Sequence, residues 1–125
     1  MAILTADDIL AADDIISGEV LFPVPEWSSN GKADEAMLRL VPMSGMQRDR
    51  LSKKIQDGQA KNDITNLFPQ IIVACAVDDE AKPLFSQKQV AALNEKNAKV
   101  IERVATECMR ISGLTAEGEE EIEGN

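Results

Sequence analysis

The side chains best suited to chemistry are two cysteines, Cys75 and Cys108, and one acid run, Asp78-Asp79-Glu80. A cysteine attacks a substrate or binds a metal as its thiolate, which needs a nearby base or an electropositive pocket. No such partner stands beside Cys75. The chain has no histidine and no tyrosine, which removes the commonest general base, the commonest metal ligand and every nucleophile–histidine pairing. The acid run lacks the alternating oxygen ligands and central glycine of a calcium loop, so it reads as a solvated turn between helices. The seven glycines are scattered at element ends and form no phosphate-cradling loop. A carboxylate-only enzyme, such as a glycosidase, needs a cleft that 125 residues with 3% aromatics can hardly line. The expectation is therefore a protein with no catalytic residue, no cofactor and no metal, which works by binding other proteins.

Bulk properties narrow the partners. The net charge is -9, from 13 basic and 22 acidic residues. Nucleic-acid binding draws its affinity from phosphate neutralisation, so no nucleic acid is expected as a partner. The longest apolar run, Ile71 to Val77, is far short of the ~20 residues of a membrane helix, and the start carries no basic residue before Lys32. No membrane partner is expected. Both cysteines fall in apolar helical patterns and read as buried free thiols, which fits a reducing cytoplasm.

The elements that must position any binding surface follow from local signals. Thr5 caps a first helix whose aspartates at 7 and 8 favour its positive end, and Ser17-Gly18 is expected to stop it. Glu19 to Trp27 is extended, and Pro23 and Pro25 place it at a sheet edge or end it early. A polar loop with an Asn-Gly turn leads to a second strand, Ala36 to Val41, and the two strands read as a hairpin. A lone hairpin is marginal in water, so it must pack on the helices or pair with another chain.

Ser44-Gly-Met-Gln47 has the form of a capping box and opens a helix expected to run to Gln56, with Gly58 past its end. Gln59 to Thr65 reads as a connector. Asn66-Leu-Phe-Pro69 begins a helix that reaches Val77, is apolar nearly all round and so forms the core. Ser86-Gln-Lys-Gln89 is a second capping box, opening a short helix through Leu93. A longer helix spans Asn97 to Ser112, with Ile101, Val104, Ala105, Cys108 and Ile111 on one stripe and Gly113 at its end.

The fold class is thus α+β and predominantly helical, an N-terminal β-hairpin packed on a small helical bundle. One globular domain is expected over residues 1–114, with helix and hairpin in 1–42, the helical part in 43–114, and an acidic, disordered tail in 115–125.

Two surfaces invite a partner. Phe22, Trp27 and the prolines around them form an apolar extended patch, and tryptophan is enriched at interface hot spots. The other reading is that Trp27 closes one side of a small core. Arg39 to Lys61 holds six basic residues against two acids, a stripe that docks an acidic surface or is simply a solvated helix face. Phe22, Trp27, Arg48 and Arg50 are the partner-binding candidates. The last 13 residues hold five acids and no base, and read as a partner-binding segment or a solubilising end.

The order of short motifs resembles the tail assembly chaperones of long-tailed bacteriophages and prophages. It begins with Leu4-Thr-Ala-Asp-Asp-Ile-Leu10 and Val24-Pro-Glu-Trp27, then a strand running into Met46-Gln-Arg-Asp-Arg50. It continues with Ile71-Ile-Val-Ala-Cys-Ala-Val-Asp-Asp79, Pro83-Leu-Phe85 and Val90-Ala-Ala-Leu93. It closes with a stretch from Asn97 through Ile101-Glu-Arg103 to Met109-Arg-Ile-Ser-Gly-Leu-Thr115. The departures are Gln47 where the family usually has an acid, a longer loop over 28–35, and Gly118 in the tail.

The resemblance implies a protein of the host bacterial cytoplasm that binds the tape measure protein and keeps it soluble. It also implies help in recruiting tail tube protein subunits, absence from the mature virion, and a possible homo-oligomer. The alternatives are a structural virion component, such as a tail-completion or head–tail joining protein, and an acidic adaptor or inhibitor unrelated to phage.

Overall fold

A computed structural model describes residues 2–28, 36–63 and 65–114. The expectations for the Asn-Gly turn and for the tail over 115–125 lie outside the described residues. The described chain folds into a three-stranded antiparallel sheet and five α-helices, an α+β architecture dominated by helix.

Helix α1 (Ala6–Ala11) carries the expected cap at Thr5, completed into a capping box by Asp8. It is shorter than expected and buries no residue. Asp13 explains the early stop: its carboxylate accepts the Ile16 backbone N–H at 3.1 Å, offering the chain a new turn in place of a continued helix.

Strand β1 (Val20–Pro23) pairs with β2 (Met37–Leu40), Val20 opposite Leu40 and Pro23 opposite Met37. It is an edge strand, where Pro23 is tolerated. The partner that rescues the hairpin from marginal stability comes from an unexpected place. β2 pairs on its other side with β3 (Ala76–Val77), residues that apolar patterning had placed in the core helix. Helix and strand are both compatible with so short an apolar run, and the unpaired edge of β2 decided between them.

Helix α2 (Gly45–Lys61) begins with the Ser44–Gln47 capping box but runs past Gly58, which lies buried inside it. A single glycine weakens a helix without ending it. The end falls at Asn62, in the left-handed region at φ 58°, with the Asp63 N–H donating to the Gly58 carbonyl at 2.7 Å. The expected connector over 59–65 is therefore helical as far as Lys61.

Helix α3 (Leu67–Cys75) holds Pro69 in its first turn and buries Ile71, Ile72, Val73 and Cys75. The 3₁₀ turn Gln87–Gln89, opened by the Ser86 capping box, leads into α4 (Val90–Leu93). Helix α5 (Ala98–Ile111) buries Val100, Ile101, Val104, Ala105 and Cys108. It ends at Gly113, whose φ of 75° allows the Leu114 N–H to reach the Met109 carbonyl at 2.8 Å. The core is α3 against α5, with the inner face of the sheet and Leu51 of α2 closing it. Cys75 and Cys108 are free and buried there.

Candidate functional site

The residues with chemical potential are used in the fold. Asp78 accepts the backbone N–H groups of Glu80 and Lys82 at 2.8 and 3.0 Å, which shapes the turn between Val77 and Pro83. Those hydrogen bonds, chiefly the one from Lys82, hold its carboxyl below the ordinary range. Among the described residues no group of histidine, cysteine or acidic side chains is arranged to hold a metal. The hydrogen bond to Cys75, followed by burial, pushes the Cys108 thiol far above the ordinary range. No helix of the described residues is long and apolar enough to cross a membrane.

The hairpin separates its side chains by face, because successive residues of a strand point to opposite sides. Val20, Phe22, Leu38 and Leu40 turn inward, and Leu21, Pro23, Met37 and Arg39 turn outward. Phe22 is consequently half-buried, with its inner side packed against the core. Trp27 is also half-buried, in the 3₁₀ turn Pro25–Trp27. That turn is clamped to α5 by Glu26, whose carboxylate accepts two hydrogen bonds from Arg103 at 2.8 and 2.7 Å. The Arg103 guanidinium lowers the Glu26 carboxyl to about 2. Trp27 thus packs one side against the core and keeps the other partly exposed. The apolar side chains that the hairpin shows to solvent are Leu21, 63% exposed, and Met37, 54% exposed.

The basic stripe also divides. Arg39 belongs to the sheet, donating to Glu19 at 2.6 Å and to the carbonyls of Asp78 and Asp79 at 3.2 and 3.1 Å. The rest of the stripe is α2, which carries five bases and two acids on a chain of net charge -9. Arg50, Lys53 and Lys54 form no ion pair with another described residue. They stand on the rim of a groove of about 550 Å³ between α2, α3 and the segment around Phe85. Leu51, Val73, Ala74 and Phe85 supply its apolar lining, and Asp57 is the one acid on its wall. Gln47 fixes one end: its side-chain amide donates to the Ala74 carbonyl at 3.1 Å, tying the first turn of α2 to α3. Arg48 is exposed on α2 but does not line the groove. A smaller cleft of about 300 Å³ continues the same seam, sharing Lys54, Asp57 and Gln70.

Of the candidates read from the sequence, Arg50 stands on the groove, which the sequence did not reveal because its walls come from three separated segments. The signal available was Gln47, Arg50, Leu51 and Lys54, which share one helical face at spacings of three and four.

A short sheet built from a hairpin and a strand following the core helix, packed on these helices, makes a fold with a counterpart among solved structures. It is similar to the solved structure of the tail assembly chaperone of bacteriophage HK97. The match has a TM-score of 0.54 at 16% identity, covering 74% of this chain and 79% of that one. At that identity the likeness is one of fold. No family model matches the sequence. No curated protein matches it either.

Proposed function

We propose that this chain is a phage tail assembly chaperone that binds the tape measure protein, keeps it soluble and helps recruit tail tube subunits. It acts in the host cytoplasm and leaves before the virion is complete. The observation that carries this reading is the fold, shared over most of both chains with the HK97 tail assembly chaperone. The surface chemistry supports it. A long helical client displays apolar stripes, and an outward hairpin face bearing Leu21 and Met37 offers a place to cover one. Phe22 and Trp27 contribute by holding that face in position and offering their half-exposed edges. Arg48 and Arg50 meet acidic positions of the client. A net charge of -9 on the chaperone keeps the complex in solution.

The test is co-expression with the tape measure protein of the same phage. The client is expected to become soluble and to co-purify with this chain, and the chain is expected to be missing from purified particles. A client that stays insoluble with nothing bound overturns the reading. Recovery of the chain in finished particles favours a structural virion component instead.

A further inference from the structure

The α2–α3 groove combines two properties that call for a particular ligand. Its lining is mainly apolar, and α2 sets Arg50, Lys53 and Lys54, unpaired among the described residues, along it against the single acid Asp57. A segment that is acidic and carries at least one apolar anchor fits both. The chain itself contains one. Residues 115–125 hold Glu117, Glu119, Glu120, Glu121 and Glu123, no base, and a single large apolar side chain, Ile122. We propose that this acidic tail docks in the groove, with its glutamates on the basic rim and Ile122 against the apolar lining.

The place where the described chain ends supports the assignment. The Ser112 hydroxyl accepts the Met43 backbone N–H at 2.9 Å, so α5 delivers the chain beside the start of α2. Gln47, at the near end of the groove, follows within one turn of the Ser44 cap. Lys54 lies ten residues beyond Ser44, about 15 Å along the helix. Eleven extended residues span about 36 Å, which covers the groove with slack. Short tethers of this kind give effective concentrations on the order of millimolar, so weak contacts suffice for occupancy. One apolar anchor also means weak hold.

The test uses the full chain and no client, so it stands apart from the chaperone reading. A nitroxide is attached to an Asn125→Cys variant, the two native thiols being buried. Loss of amide signal is then read by NMR along the chain. At low salt the loss is expected to concentrate at Arg50, Lys53, Lys54 and Phe85. It is expected to vanish at 1 M salt, where the screening length falls to about 3 Å. It is also expected to vanish when the five tail glutamates are changed to glutamine in the same full chain. Equal loss over the whole surface, or loss unchanged by salt and by the glutamine variant, overturns the proposal. Mixing isotope-labelled chains lacking the nitroxide with unlabelled chains carrying it separates the other occupant: loss in that mixture means a tail from a second copy fills the groove, which also overturns it.

Discussion

Leu40→Ala and Leu21→Ala delete the same atoms from neighbouring strands, yet the hairpin register makes them opposite experiments. Leu40 is 0% exposed and packs on the core, whereas Leu21 is 63% exposed on the outward face. Truncating Leu40 loses its transfer free energy and leaves a cavity that the close-packed surroundings only partly fill, a cost of about 3–4 kcal/mol. Truncating Leu21 removes little buried surface and costs under about 0.5 kcal/mol. Unfolding entropy of about 2.1 cal/mol/K per residue converts these to a fall in Tm of about 11–15 °C for Leu40→Ala and about 2 °C for Leu21→Ala. Thermal and urea unfolding followed by circular dichroism measures both. A shift of one residue in pairing would turn every side chain of the strand to the other face. Equal costs at the two positions would therefore refute the register and, with it, the outward face assigned to Leu21 and Met37. The same Leu21→Ala protein, still folded, is expected to bind the client less well than the parent.

Three further outcomes follow from particular contacts. The Glu26 carboxyl, lowered from 4.5 to about 2 by its hydrogen bonds from Arg103, gives stability that is fully present above about pH 4.5 and fades as pH falls toward 2. Arg103→Ala should return Glu26 toward its ordinary range, and the stability gap from the parent should close on acidification; a gap constant with pH refutes the clamp. Cys75 and Cys108, both buried, are expected to be inert to a chromogenic disulfide reagent in the native state and to react at the rate of unfolding; rapid labelling of either one means that the α3–α5 core is open. Gly113→Ala places a Cβ where nothing lies within 4 Å, so its cost is backbone strain at φ 75° alone, about 1 kcal/mol or about 4 °C in Tm. A neutral substitution there shows that α5 does not end as described.

Sequence alone determined what depends on a few consecutive residues. The cap at Thr5, the capping boxes at Ser44 and Ser86 and the stop at Gly113 are each complete within one helical turn. The buried character of α3 was equally plain, because a helix apolar on every side has nowhere else to go. Pro23 and Pro25 marked the sheet edge for a reason as local, a missing backbone donor.

Tertiary structure decided everything that needed a distant partner. α3 stops at Cys75 because β2 offers its free edge to Ala76 and Val77. Phe22 faces inward and Leu21 outward because the pairing with β2 fixes which side meets the core. Arg39 leaves the basic stripe because Glu19 and the turn after β3 take its donors. Trp27 is held in its half-buried position by a clamp from Glu26 to Arg103, a residue 77 positions away. The groove has its basic rim written in α2, but its lining is shared with α3 and Phe85. Local rules see backbone capping and the periodicity of one element; a surface made between elements exists only once they pack.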